Sequence, residues 1–234
     1  MVVVFGFADF VGELGACCVA DSASVFGGGE TGGDEEVGFP GAGVSKEWTE
    51  DQTSFWGYVP NYVAAFASRP DVAKAWTALN LTVRNGMDRR RFEIATIAAA
   101  RAMRNTYCTV AHSKFLRDAC DDEPTMIAMT GDPDSTALDA TDHAIIAFGG
   151  KVARDAADIS TEDIANLRSV GLSDNEIADV VFTVAARSFF TRVLDGMGIH
   201  ADHELSQSFE PALIGQMTVG RSINSPRDNV GSAR

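Results

Sequence analysis

Glu93, Asn105, Cys108 and His112 form a pattern whose residue types and spacing could carry chemistry. Cys108 and His112 are four residues apart, so a helix places them on one face. With Asn105 as N-cap, Cys108 falls at the third helical position. Free backbone N–H groups and the positive end of the helix dipole would favour thiolate over thiol there. The spacing therefore predicts a thiol pKa well below the ordinary value of about 8.5. A neighbouring imidazole could take the sulfur's proton, or stabilise the thiolate as imidazolium. Glu93, on the preceding helix, could orient that imidazole and relay the proton if the two helices fold side by side. Such a set makes a redox or nucleophilic centre. The same residues also fit a plainer reading, in which the cysteine is a small buried apolar group and the histidine satisfies a carbonyl.

Helices must position these groups. Apolar residues Val72, Ala75, Trp76, Leu79 and Val83 recur at helical spacing from Asp71 to Asn85, and Gly86 ends the run. Asp88 is the cap of a second, alanine-rich helix to about Met103, a central helix because small side chains let neighbours approach. Arg89, Arg90 and Arg91 in its first turn oppose the macrodipole, so they are expected to face acidic partners within the chain or across a subunit boundary. Asn105 opens a helix from Thr106 to about Ala119. A shorter piece follows over Glu123–Thr130, then a helix over about Ala137–Ala156 (weakened midway by Gly149-Gly150) and another from Ser160 to Gly171. Ser173-Asp174-Asn175-Glu176 is a capping box for a long helix to about Gly196. Val180, Val181, Phe182, Val184, Ala185, Phe189 and Phe190 suggest burial of that helix on more than one side. No period-two alternation bounded by hairpin turns occurs, so residues 46–205 read as all-α.

The flanks differ from this core. Residues 1–45 carry seven acidic residues, no Lys or Arg, and 11 of the 22 glycines. Such chain cannot bury enough apolar surface to offset its ordering entropy, so an acidic, disordered tail is expected. Its Met1–Phe5 start lacks the basic n-region of an export signal, and the cytoplasm is the expected location. Residues 206–234 read as a C-terminal extension with a short apolar patch at Leu213, Ile214, Met217 and Val219. The net charge of −14 disfavours nucleic acid, and no apolar run reaches membrane-spanning length. Four irregularly spaced cysteines are too few for a disulfide scaffold. His200, Asp202, His203 and Glu204 lack the pairing that a helical metal site would offer, so they read as a polar chain end and no metal is expected. His143 reads as a capping or partly exposed residue.

Glu93, Tyr107-Cys108 and Ala111-His112, after an alanine-rich helix, resemble the carboxymuconolactone decarboxylase and alkylhydroperoxidase D (AhpD-like) superfamily. Gly57-Tyr58-Val59-Pro60-Asn61-Tyr62 and Arg69-Pro70 before Trp76 are similar to the leader of its peroxidase-related branch. Gly171 to Ile177 and Arg192 to Gly198 are similar to that branch's last two helices. The resemblance spans roughly residues 52–204. It implies an AhpD-like helical bundle assembled as a symmetric homo-oligomer, a trimer or hexamer. It also implies hydroperoxide reduction by a Cys-x-x-Cys pair, with a glutamate and a histidine relaying protons and a dithiol partner restoring the cysteines. By position the glutamate is Glu93, the second cysteine Cys108 and the histidine His112, with Asn105 and Tyr107 in support.

Asn105 stands where the family's first cysteine would be. The usual intramolecular disulfide therefore cannot form, and Cys120, twelve residues along the same helix, is roughly 18 Å away. The expected function is a thiol-dependent peroxidase-like oxidoreductase that uses Cys108 with a Glu93/His112 relay. No cofactor is expected beyond an external thiol or dithiol reductant. Two alternatives stand beside it. One is a lyase acting on a small carboxylated lactone, with Arg89, Arg90, Arg91, Arg101 and Arg104 as candidate pocket cations. The other is a catalytically idle helical oligomer.

Overall fold

Caps and breakers set the helices where the sequence places them. A computed structural model describes residues 46–131 and 136–223, and among these no extended strand occurs. The expectations for residues 1–45 lie outside the described residues. The chain opens with α1 (Lys46–Trp56), a single turn α2 (Tyr62–Ala65) and α3 (Pro70–Asn85), which has Pro70 in its first turn and Gly86 after its end. The Asp88 side chain accepts from the Arg91 amide and starts α4 (Arg89–Ala102), and Asn105 starts α5 (Thr106–Ala119). Next come α6 (Glu123–Gly131), α7 (Ala140–Asp155) with a 3-10 turn over Ala156–Asp158, α8 (Thr161–Ser169) and α9 (Asp174–Gly196). Two short helices, α10 (His203–Ser206) and α11 (Pro211–Met217), close the described chain.

Every residue of α4 from Phe92 to Ala100 is buried, which makes it the axis of the bundle. It packs on α5, α7 and α9. Gly149 and Gly150 do not interrupt α7. They are buried at the crossing with α4, where a Cβ on Gly149 would make only ordinary contacts, 3.7 Å from the Ala95 carbonyl. The helix begins three residues later than its apolar pattern suggests because Asp139 and Asp142 form a capping box.

The three arginines at the start of α4 find acidic partners within the chain. Arg89 pairs with Glu93, Arg90 with Asp122 and Asp142, and Arg91 with Glu176. In contrast, α9 is not buried all round. Ile177, Val180, Val184, Arg187, Phe190 and Leu194 face inward, while Phe182 and Phe189 are 57% and 41% exposed. Among the described residues, only one side of α9 has helices to pack on. The C-terminal apolar patch packs in cis, since Met217 is fully buried and α11 lies on α5 and α6.

Candidate active site

Asn105 lies at the head of α5 in an extended conformation, and its Oδ1 accepts the Cys108 amide at 2.8 Å. The cap is the one the sequence suggests, but it changes the electrostatics. The Cys108 N–H is taken by Asn105 and is not free to stabilise a thiolate. The thiol is 1% exposed, and burial pushes it above the ordinary cysteine range, with Arg187 pulling in the opposite sense. The low pKa expected from helix position is therefore not found, because desolvation in this core outweighs the helix N-terminus.

Glu93, from the second turn of α4, and His112, from the second turn of α5, do meet. His112 Nδ1 lies 2.5 Å from Glu93 Oε2, and the second carboxylate oxygen receives Arg89 Nε at 2.6 Å. Burial alone would push the fully buried Glu93 carboxyl up. The charges and hydrogen bonds of His112 and Arg89 outweigh it and hold the group below the usual range. His112 is pushed down to about 4, first by burial and then by the Arg187 charge, with Glu93 acting against both. At neutral pH the set is thus an ionised Glu93 between the Arg89 cation and a neutral imidazole. That imidazole donates from Nδ1 and leaves Nε2 as its acceptor. Among the described residues no hydrogen bond joins His112 to Cys108, although both border the same cavity.

The sulfur's neighbour is Arg187, which sequence reasoning missed. Its Nη1 lies 3.7 Å from Cys108 Sγ, its Nη2 donates to Asn80 Oδ1 at 3.2 Å, and it is 3% exposed. The available signal was its place in α9. It sits at helical spacing among Val180, Val184, Phe190 and Leu194, and a lone cation on a buried stripe needs a reason.

Cys108, His112, Glu93, Arg89 and Arg187 all border one cavity of about 130 Å³. Its walls are largely aromatic, with Phe55, Trp56, Trp76, Phe92, Phe115 and Phe190. Trp76 stacks on Phe190 with centroids 4.1 Å apart. Of the five arginines weighed as pocket cations, only Arg89 reaches this cavity. Arg90 and Arg91 are held in their ion pairs, and Arg101 and Arg104 donate to the Gln216 and Val219 carbonyls of the C-terminal segment.

Tyr107 supports the site from behind. Its hydroxyl donates to Asp202, which also accepts from the Tyr58 hydroxyl at 3.1 Å and the Asn61 amide at 2.7 Å. Asp202 is 2% exposed, so it is no part of a polar chain end. Burial pushes its carboxyl up against the pull of these three donors. It ties the 58–62 segment to the start of α5. No group of three metal-binding side chains converges among the described residues. His143 is exposed, and Asp142, not the histidine, takes part in the cap of α7.

Residues 70–162 match the model of the carboxymuconolactone decarboxylase family. No curated protein matches the sequence. Among solved structures, a peroxidase-related protein from Silicibacter sp. TM1040 superposes with a TM-score of 0.64 at 24% identity, over 76% of this chain and 97% of its own. An AhpD-core, peroxidase-related protein from Ralstonia eutropha JMP134 gives 0.61 at 18% identity, over 79% and 97%. The debrominase Bmp8, solved with 2,3,4-tribromopyrrole, gives 0.61 at 14% identity, over 74% and 90%. These similarities establish the all-α, AhpD-like fold.

Proposed function

Given that residues 70–162 match the carboxymuconolactone decarboxylase family model and the fold is AhpD-like, we propose that this chain is a thiol-dependent peroxidase. Its substrate is a hydroperoxide with a small apolar body. One observation carries the reading: a buried thiol, a Glu–His pair and a guanidinium border a single aromatic-walled cavity. In the reaction the Cys108 thiolate attacks the terminal peroxide oxygen. An S–O bond forms, the O–O bond breaks, and the alkoxide leaves. His112 Nε2 is the base that carries the thiol proton to that alkoxide, with Glu93 and Arg89 fixing the ring and its tautomer. The products are a Cys108 sulfenic acid and an alcohol. An external thiol then condenses with the sulfenic acid, releasing water, and a second thiol frees Cys108 as the external disulfide departs.

Trapping with dimedone and intact-mass spectrometry, after stoichiometric hydrogen peroxide or cumene hydroperoxide, tests this. Wild type should gain one adduct at Cys108, and Cys108→Ser should lose both the adduct and peroxide turnover while keeping its circular dichroism. Turnover that persists in Cys108→Ser would end the reading.

A lyase remains the second reading, favoured by the family match and by Arg84, Arg89 and Arg187 at the cavity. It predicts lactone-directed activity that survives Cys108→Ser and falls when a cavity arginine is replaced.

A further inference from the structure

Arg187 is a buried cation with no carboxylate partner among the described residues. The other buried and half-buried arginines at the head of α4 each pair with an acid, and Arg117 bonds Asp118. Arg187 has instead the neutral Asn80 amide oxygen on one side, the faces of Trp76 and Phe190 at 5.6 and 5.5 Å, and the Cys108 sulfur at 3.7 Å. Its Nε is buried without a hydrogen-bond partner. Removing a guanidinium from water is costly unless an anion compensates, and aromatic faces compensate only in part. Among the described residues, the sulfur is the one group in contact with Arg187 that can become an anion.

We propose that Arg187 is a catalytic residue of this site, the counter-charge of the Cys108 thiolate before attack and of the departing alkoxide during it. This rests on the peroxidase reading for its second half only. Asn80 is part of the device. An amide holds the guanidinium in place without neutralising it, where a carboxylate would claim the charge that the sulfur needs. Ionisation moves the thiol proton to His112 Nε2 or solvent. Attack on a hydroperoxide then converts thiolate and peroxide into sulfenic acid and alkoxide, and the formal negative charge that leaves the sulfur stays within the same cavity. The other charged or titratable groups there are Arg84 of α3, the Arg89–Glu93–His112 set, and Tyr62 and Tyr107. Asp195, further along α9, acts on the sulfur in the sense opposite to Arg187.

The test is the pH dependence of Cys108 alkylation by iodoacetamide in the full chain, resolved from the other cysteines by peptide mass spectrometry. Arg187→Met and Asn80→Asp should each slow alkylation at pH 7.5 at least tenfold and move its midpoint upward, and Arg187→Lys should recover part of the rate. Circular dichroism and melting temperature report the fold. Should Arg187→Met not fold, Asn80→Asp, on a half-exposed position of α3, decides alone. An unchanged midpoint in a folded Arg187→Met or Asn80→Asp protein overturns the proposal. If these profiles shift as expected while dimedone finds no sulfenic acid in wild type, the peroxidase reading fails and Arg187 stands as the partner of the thiolate.

Discussion

His112 is held as a neutral imidazole inside the protein, and this makes acid its weak point. Its folded pKa of about 4 lies below the ordinary 6.5, so between those values the unfolded chain binds a proton that the folded chain refuses. Stability from this residue is complete above pH 6.5 and is lost as pH falls towards 4. Glu93, also depressed, adds to the loss in the same direction below about 4.5. Melting temperature should therefore decline steadily from pH 6.5 to 4, and His112→Gln should flatten the upper part of that decline. A wild-type profile that is level across this window would contradict the neutral-imidazole assignment. The Glu93–His112 contact was legible because two consecutive helices joined by a tight turn bring their facing residues together. The Arg187–Cys108 contact was not, since 79 residues separate the partners in sequence and three α-helices lie between their own. The sulfur's pKa was misread for a related reason. Helix position is local information, whereas burial belongs to the assembled core.

At the level of elements, polar caps carried most of the correct boundaries. Asp88, Asn105, Ser160 and Ser173 all cap the helices that they precede. The start of α7 was misplaced because its apolar pattern extends beyond the Asp139–Asp142 box, and Leu138 is buried without being helical. The short turns α10 and α11 escaped notice, as pieces of four and seven residues have too little periodicity to read. Asn105 has the clearest energetic role of the caps. Replacement by Ala should cost about 1 kcal/mol, the ordinary value of an N-cap, and more if the buried Cys108 amide is left without an acceptor. Urea denaturation of Asn105→Ala measures it. A midpoint equal to wild type would mean that water or another group replaces the cap.

For the whole molecule, the outer face of α9 is the feature that a single chain leaves unfinished. Phe182 and Phe189 are seven residues apart, so they stand on one face of that helix, with exposed Ala185 between them. Two aromatic rings in water on the same stripe mark a contact surface. A second copy of the chain, in the symmetric oligomer expected from the sequence, is its proposed partner. Light scattering at micromolar concentration should give a multiple of 24.9 kDa, and Phe182→Glu with Phe189→Glu should shift the mass towards one chain. A monomeric wild type would leave this surface without that role. The sequence had suggested a helix apolar on more than one side, which composition does show. Which side stays open depends on how many neighbours the chain itself provides. At a different place in the molecule, α5 runs unbroken from Cys108 to the cap residue Cys120, keeping the two thiols roughly 18 Å apart. On the proposed chemistry, an oxidised Cys108 has no internal thiol among the described residues in which to discharge. The lifetime of the oxidised chain is then set by the thiol concentration around it, and the oxidised fraction at any moment reports the balance between peroxide supply and reductant supply.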